Sequence, residues 1–254
     1  MTQKEHFLSL IIPVFRQEKT VVKNVQQIQK ILDTIRYDYE ILVVIDGLVD
    51  RSHQLLKNAK IPKTKLIFFH NNQGKAYAIR TGMEKAKGDY IMFMDSGMEI
   101  DPNGISMLLE HMEWYNADII VGSKRHPASH VQYSKQRKIL SYGYYYLVKL
   151  LFGIKVSDTQ AGIKIFKKNV LKKILPLLVE KKFTGDLEIL VAAKTNGFNR
   201  IFDAPIKLNY GIGGITSAAT ISAIYGIFVD TLAIWYRTYI LKWYTDRSSF
   251  CEKK

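Results

Sequence analysis

The chain has 254 residues, 47% of them hydrophobic, which is enough to bury the core of one large α/β domain or of two small ones. Its 37 Lys and Arg residues exceed its 23 Asp and Glu residues, giving a net charge of +14. This excess favours an anionic partner, whether nucleic acid, lipid headgroups or a pyrophosphate substrate, although a merely solvated basic surface stays open. The only cysteine, Cys251, excludes an internal disulfide or a cysteine-based zinc site and suits a reducing cytoplasm. The apolar run near the amino terminus is too short for a signal peptide, so we expect no export by that route.

The first half of the chain alternates short apolar runs with segments of helical periodicity. The runs predict strands at residues 8–15, 40–45, 65–69, 90–94 and 118–122. The segments between them predict helices at residues 20–35, 50–58, 75–87 and 102–115. Such an alternation predicts a parallel, doubly wound sheet covered by helices.

The second half of the chain differs from the first in composition, but no linker or repeat marks a domain boundary between them. Residues 133–152 combine tyrosines with lysines and arginines, and residues 215–244 are a long apolar stretch broken by few charges. We expect a main domain over residues 1–210 and an apolar, basic helical segment over residues 211–254. Trp and Tyr beside Arg237 and Lys242 favour a helix at a membrane surface. A pair of core helices and a membrane-spanning helix stay open as alternatives.

Polar residues follow the predicted strands where a parallel sheet binds its ligands, beyond the strands' carboxyl ends. Asp46 can accept from a base N–H group or a ribose hydroxyl, or it can cap the next helix. Gly74 and Lys75 precede a helix, where backbone N–H groups and a lysine favour a phosphate, although an ordinary loop has the same pattern.

Carboxylates after the fourth predicted strand indicate a metal site. Asp95 follows the apolar run YIMFM directly, and Glu99 lies four residues further on. Mg²⁺ or Mn²⁺ bridging a pyrophosphate needs one or two carboxylates and takes its other ligands from phosphate and water. A turn with acids that cap the following helix is the alternative.

Three segments in the first half resemble those of the family 2 glycosyltransferases with a GT-A fold: IIPVFRQE, ILVVIDGLVDRS and NNQGKAYAIRTGMEKAKGDYIMFMDSG. The resemblance implies a GT-A nucleotide-diphospho-sugar transferase fold, with a Rossmann-like, mostly parallel sheet flanked by helices and followed here by amphipathic carboxyl-terminal helices. It also implies a set of residues that bind the nucleotide-sugar. These are Pro13, Phe15, Gln17, Glu18, Asp46, Asn72, Gly74, Lys75, Asp95, Ser96 and Gln160.

Segments of the second half narrow the group, since GSKRH, QRKILSYGYYYLVKLLFGIKVSDTQAGIKIF and FTGDLEILVAA resemble the dolichyl-phosphate glucosyltransferases and mannosyltransferases. A polyprenyl phosphate is the acceptor in that group, which implies Arg125, Arg137 and Lys164 as residues near its phosphate. Asp158, Gln160 and Asp186 match positions on the sugar side. The catalytic residues implied are Asp95, Arg125, Arg137 and Asp186, and the implied metal ligands are Asp95 and Glu99, with Mg²⁺ or Mn²⁺ as the cofactor.

The sequence departs from the family pattern at its acidic residues. The usual Asp-x-Asp is Asp95-Ser96-Gly97 here, and the first aspartate of the family's pair is Ile45. The family's Asn-Glu after the first strand reads Arg16-Gln17. Glu99 is the candidate to replace the missing metal ligand, and an inactive or repurposed relative stays open.

The resemblance predicts an inverting hexosyltransferase that is peripheral on the cytoplasmic face of a membrane. Its donor would be UDP-glucose, or GDP-mannose as the second choice, and its acceptor dolichyl or undecaprenyl phosphate. A family member with a different acceptor, a non-catalytic protein and a nucleic-acid-binding module are the alternatives. We expect no nucleic acid partner, because the basic residues are spread along the chain without a binding motif.

Overall fold

The structure is a computed structural model that describes residues 6–129, 135–209 and 221–246, without the side chains of residues 135–139, 221–223 and 246. The strands are β1 (Phe7–Val14), β2 (Asp38–Asp46), β3 (Thr64–Phe69), β4 (Tyr90–Met94), β5 (Ile119–Ser123), β6 (Ile163–Lys167) and β7 (Ile201–Pro205). The helices are α1 (Val21–Leu32), α2 (Ser52–Ala59), α3 (Lys75–Lys85), α4 (Gly104–Trp114), α5 (Lys135–Phe152), α6 (Lys168–Ile174), α7 (Gly185–Thr195), α8 (Ile221–Tyr239) and α9 (Trp243–Asp246), with a 3₁₀ turn at Leu175–Leu177.

The strands form one sheet in the order β3-β2-β1-β4-β6-β5-β7. The five predicted strands are all present within one or two residues of their expected bounds, and β3, β2, β1 and β4 are parallel as expected. The mostly parallel sheet implied by the resemblance is confirmed, and β6 is the exception, since it pairs antiparallel with both β4 and β5. The loop before β6 ends at the edge of the sheet where β4 ends. Strand β6 begins there and therefore runs in the opposite direction to β4.

Helices cover both faces of the sheet, which explains why the central strands are apolar on both sides. Along β1, Leu10 and Ile12 pack into the core beneath α1, α2 and α4, whereas Ile11 packs into the core on the other face. This second core includes side chains of α3, α5, α6, α7, α8 and α9. Helix α1 begins and ends within three residues of the predicted 20–35, and its buried side chains fit one apolar stripe.

The carboxyl-terminal helices pack against α7. Ile234 of α8 and Tyr244 of α9 are fully buried in the second core. The Tyr244 hydroxyl donates to Glu188 at 2.7 Å, and Glu188 also accepts from the backbone N–H groups of Val179 and Glu180. Burial raises the pKa of Glu188 despite these bonds. None of the helices in the described ranges has the length and apolar character needed to cross a bilayer.

Replacing Tyr244 by Phe should destabilise the fold, because Glu188 then loses a donor in a buried site. We expect Tyr244→Phe to lower the free energy of unfolding by about 1–3 kcal/mol in urea denaturation. Tyr225→Phe, at an exposed position of α8, is the matched control and should change it little. Equal stability of the two variants would contradict this account of how the carboxyl-terminal helices are held.

Candidate active site

The carboxyl ends of β1, β2 and β4 meet the start of antiparallel β6 at one edge of the sheet. This edge gathers Lys75 from the start of α3, Asp95 from the end of β4, Lys164 from β6 and Asp186 from the first turn of α7. The resemblance implied all four residues, and the structure brings them together.

These four side chains form a line of alternating charge. The Lys75 ammonium lies 2.8 Å from Oδ1 and 3.0 Å from Oδ2 of Asp95, and 3.8 Å from Oδ2 of Asp186. The Lys164 ammonium lies 2.7 Å from Oδ1 of Asp186 on the other side. Each interior charge therefore has an opposite charge on both sides.

The two lysines respond differently to their burial. Burial by itself lowers the pKa of Lys75, but the carboxylates of Asp95 and Asp186 outweigh it and raise the pKa above its ordinary value. Burial dominates at Lys164 and lowers its pKa in spite of Asp186. Lys75 is thus the firmly charged cation of the line, and it is also the more exposed of the two.

Lys164 is not placed to bind an acceptor phosphate, which corrects the role implied for it. Its side chain has 0% exposure, and its ammonium donates to the Ala161 carbonyl and to Asp186, both at 2.7 Å. A phosphate could reach it only after these contacts were broken. Lys164 instead forms a buried ion pair with Asp186.

Asp46 shapes the loop between β3 and α3. Its buried carboxylate accepts from the Asn72 side chain at 2.8 Å and from the backbone N–H groups of Gln73 and Gly74 at 2.6 and 2.9 Å. These contacts are with the loop before α3, so they do not fit the interpretation of Asp46 as a helix cap on α2. Contact between Asp46 or Asn72 and a nucleotide stays a prediction.

Two N–H groups in the first turn of α3 are occupied, so they are not free for a phosphate as the sequence suggested. Those of Ala76 and Tyr77 donate to the Lys181 carbonyl at 3.1 and 3.3 Å. Gly74 makes this approach possible, because a Cβ atom at its φ of 105° would lie 2.2 Å from that carbonyl oxygen. The Lys75 side chain therefore supplies the cation at this turn.

Gly162 is a site residue that the sequence reasoning missed. Its carbonyl accepts from the Asp95 N–H at 2.8 Å, and a Cβ atom on Gly162 would lie 2.2 Å from Oδ2 of Asp95. The absence of a side chain at residue 162 thus provides the space for the Asp95 carboxylate. The only available signal was the glycine in the DTQAGIKIF segment.

Asp95 and Glu99 are the predicted metal ligands, and their binding of a metal stays a prediction. The Asp95 side chain is 41% exposed, and its Oδ1 atom forms an ion pair with the Lys75 ammonium at 2.8 Å. Glu99 lies near enough to help raise the pKa of Lys75. No group of three or more His, Cys, Asp or Glu side chains suited to a metal occurs in residues 6–129, 135–209 and 221–246. The two carboxylates fit a hard cation whose other ligands come from a diphosphate.

The loop after β1 contains another buried acceptor. Oε1 of Gln17 has no hydrogen-bond partner in the described part of the chain, while the Gln17 N–H donates to Ser52. Glu18 forms an ion pair with Arg51 at 3.4 Å. The remaining predicted donor-site residues of these loops are buried Pro13, exposed Phe15 and buried Ser96.

Arg125 links the end of β5 to α5. Its guanidinium donates to the Ser157 carbonyl and to Ser141, and its centre lies 5.6 Å from the ring centroids of both Tyr142 and Tyr145. The Nε atom is buried without a partner among the described residues. Arg125 also lies 3.8 Å from Asp158, and its contact with a ligand stays a prediction.

Arg137 and Gln160 complete the predicted site. The backbone of Arg137 lies in α5, but its side chain is outside the described residues. The Gln160 N–H donates to Asp158 at 3.3 Å, and Asp158 also accepts from the Lys124 N–H. Asp158 thus ties the loop of Gln160 to the end of β5.

The fold and the site together define an α/β protein with the Lys75 ammonium and the carboxylates of Asp95 and Asp186 at the carboxyl ends of its parallel strands. The Mycobacterium tuberculosis glucosyl-3-phosphoglycerate synthase, solved with Mn²⁺, UDP and phosphoglyceric acid, has the same fold at a TM-score of 0.66 and 13% identity, over 91% of this chain and 78% of that one. The fold is therefore the GT-A fold predicted from the sequence.

The sequence comparisons identify the family. The profile described as Glycosyl transferase family 2 matches residues 9–175, and the chain belongs to this family. It is 26% identical to a dolichyl-phosphate β-glucosyltransferase of Dictyostelium discoideum over 74% of this chain. It is 23% identical to a dodecaprenyl-phosphate galacturonate synthase of Rhizobium johnstonii over 90% of this chain. These matches cover 62% and 66% of the relatives' own lengths.

A side chain at residue 162 should disturb Asp95 specifically. We expect Gly162→Ala to lower the free energy of unfolding by about 1–3 kcal/mol, because its methyl group overlaps the Asp95 carboxylate. Gly162→Ala should lower the free energy of unfolding by less when Asp95 is also replaced by Ala. Urea denaturation of the single and double variants measures the two changes. Gly143→Ala, whose added methyl group meets no atom within 4 Å, is the control. An equal cost with and without the Asp95 carboxylate would contradict the proposed clash.

Proposed function

We propose that this chain transfers a hexose from a nucleotide-sugar to a polyprenyl phosphate, with glucose from UDP-glucose as the first choice and mannose from GDP-mannose as the second. The observation that carries the proposal is the Lys75 ammonium, held between the carboxylates of Asp95 and Asp186. The two relatives, a dolichyl-phosphate β-glucosyltransferase and a dodecaprenyl-phosphate galacturonate synthase, support a lipid phosphate as the acceptor.

The donor's diphosphate would lie beside Lys75. A firmly charged lysine in a partly buried site stabilises the negative charge that develops on a leaving diphosphate. Asp95, with Glu99, would hold Mg²⁺ or Mn²⁺, which would supply further positive charge to this leaving group. Gln17 offers its free Oε1 atom to a donor group of the nucleotide.

The transfer is a single displacement. An oxygen of the acceptor phosphate attacks the anomeric carbon, and the bond from this carbon to the diphosphate oxygen breaks as the diphosphate leaves with the electron pair. The configuration at the anomeric carbon is inverted. The acceptor phosphate is already ionised at neutral pH, so no general base is needed, and the protein contributes position and charge.

The acceptor phosphate would lie near Arg125 and Arg137. Arg125 has a buried Nε donor without a partner in the described chain, and its guanidinium is held in place by Ser157 and two tyrosine rings. Lys164 is not part of this group, because it is buried against Asp186.

A membrane surface is the proposed location of the acceptor, on the cytoplasmic face. Helices α5 and α8 are neighbours on one face of the molecule, joined by the rings of Phe152 and Tyr239 at 6.4 Å and by a hydrogen bond between Tyr144 and Thr231. Both helices expose large apolar and aromatic side chains. These are Leu140, Tyr142, Tyr146 and Leu150 of α5, and Ile224, Tyr225, Phe228, Val229, Leu232, Tyr236 and Tyr239 of α8. We call this set the α5–α8 face.

The Asp95 carboxylate should be essential for the metal and for turnover. We expect Asp95→Asn to abolish the rise in melting temperature that Mn²⁺ adds to UDP binding, and to lower the transfer rate by at least about 100-fold. Asp38→Asn, the same change at the opposite edge of the sheet, is the control and should behave as wild type. Full activity of Asp95→Asn would contradict the metal-site assignment.

Transfer itself is tested with UDP-glucose, UDP-galacturonate and GDP-mannose as donors and a short polyprenyl phosphate as the acceptor, in the presence of Mn²⁺. We expect one donor to give a sugar-phospholipid of inverted configuration. If a nucleotide stabilises the protein but no sugar is transferred to the polyprenyl phosphate, the chain is instead a family member that uses a different acceptor. No binding of any nucleotide would overturn the proposal as a whole.

The α5–α8 face should bind lipid. We expect the triple variant Leu150→Ser, Tyr225→Ser and Phe228→Ser to co-sediment at least about 10-fold more weakly with vesicles of phosphatidylcholine and phosphatidylglycerol. The matched control is Met107→Ser, Trp114→Ser and Phe202→Ser, which removes exposed apolar side chains on and beside α4. An equal loss in the two variants would contradict a specific lipid-binding face.

A further inference from the structure

A hydrogen-bonded chain connects Gln160, on the predicted sugar side of the site, to helix α8. The Gln160 amide nitrogen lies 3.3 Å from the Tyr144 hydroxyl oxygen, which lies 3.2 Å from Oγ1 of Thr231. Oγ1 of Thr231 in turn lies 2.6 Å from the Ile227 carbonyl of the same helix. Thr231 is fully buried and Tyr144 is half-buried, so these contacts are shielded from solvent.

The direction of this chain follows from counting hydrogens. A carbonyl oxygen cannot donate, so Thr231 gives its only hydroxyl hydrogen to Ile227 and must accept from Tyr144. Tyr144 has then used its own hydrogen and can only accept from Gln160. The amide of Gln160 therefore turns its NH₂ group toward Tyr144 and keeps its carbonyl oxygen for a ligand.

The residue before Thr231 makes a second contact of the same kind. Oδ2 of Asp230 lies 3.1 Å from the hydroxyl of Thr184, a buried residue that precedes α7 directly. Thr184 is two residues before Asp186, the carboxylate that lies between Lys75 and Lys164. Two consecutive residues of α8 thus make these contacts, Thr231 with the hydrogen-bond partner of Gln160 and Asp230 with the residue that precedes the helix of Asp186.

We propose that Tyr144, Thr231 and Asp230 are positioning residues, through which α8 sets the orientation of the Gln160 amide and the position of Asp186 on the sugar side of the site. The inference rests on the proposed function. It makes α8 part of the donor site, although α8 contributes none of the residues that would touch the sugar. The other side of the same helix is the exposed apolar surface of the α5–α8 face.

The test compares the affinity for a donor with the affinity for its nucleoside diphosphate. The donor that most stabilises the wild type among UDP-glucose, UDP-galacturonate and GDP-mannose is titrated with Mn²⁺, and so is the matching diphosphate without the sugar. We expect Tyr144→Phe to bind the nucleotide-sugar about 3- to 10-fold more weakly, the effect of one lost hydrogen bond, while its affinity for the diphosphate is unchanged. Tyr115→Phe, at an exposed position directly after α4, should match the wild type in both.

A double variant tests the hydrogen-bonded chain itself. Thr231→Val removes the acceptor of the Tyr144 hydrogen, which frees that hydrogen to turn toward Gln160 and lets the amide take either orientation. We expect Thr231→Val to weaken donor binding as well, and the double variant with Tyr144→Phe to bind the donor no more weakly than Tyr144→Phe alone.

Different results would contradict the positioning role and the proposed function. Unchanged donor binding by Tyr144→Phe, additive effects in the double variant, or an equal loss for donor and diphosphate would overturn the positioning role. If no nucleotide-sugar stabilises the wild type, it is the proposed function that fails.

Discussion

The site depends on the line of alternating charges formed by Asp95, Lys75, Asp186 and Lys164. The four side chains come from the end of β4, from α3, from α7 and from β6, so the line forms only when these elements are assembled. Removing one partner of the buried Lys164–Asp186 pair would leave a charge uncompensated, at a cost of about 3–5 kcal/mol. The same contacts that make Lys75 a firm cation therefore hold the elements of the site together.

Much of the fold was predictable because it depends on local patterns. Buried parallel strands are continuous apolar runs, and α1 has one apolar stripe, so their positions follow from periodicity. Asp95 was also predictable, since a carboxylate directly after a buried strand lies at the ligand-binding edge. In contrast, the short strand β6 gives no signal of its direction, because pairing between distant strands decides whether it runs parallel or antiparallel.

The parts of the site that could not be predicted depend on contacts between distant residues. The resemblance implied Lys164 near the acceptor phosphate, and only the fold shows that Asp186 and the Ala161 carbonyl occupy its ammonium. The N–H groups at the start of α3 are satisfied by Lys181, more than a hundred residues away along the chain. Gly162 has a role only because Asp95 lies where its side chain would be. Residue types predicted the chemistry of the site, whereas distant neighbours decided which groups are free.

The two sides of α8 are under different constraints. Its inner side carries Asp230, Thr231 and Ile234, which contact Thr184, Tyr144 and the core respectively, so few substitutions there preserve these contacts. Its outer side carries Tyr225 and other exposed residues that contact little of the protein, and these can vary at small cost to stability. Relatives with this architecture could therefore diverge in the surface that they present to their surroundings while keeping the same reaction chemistry.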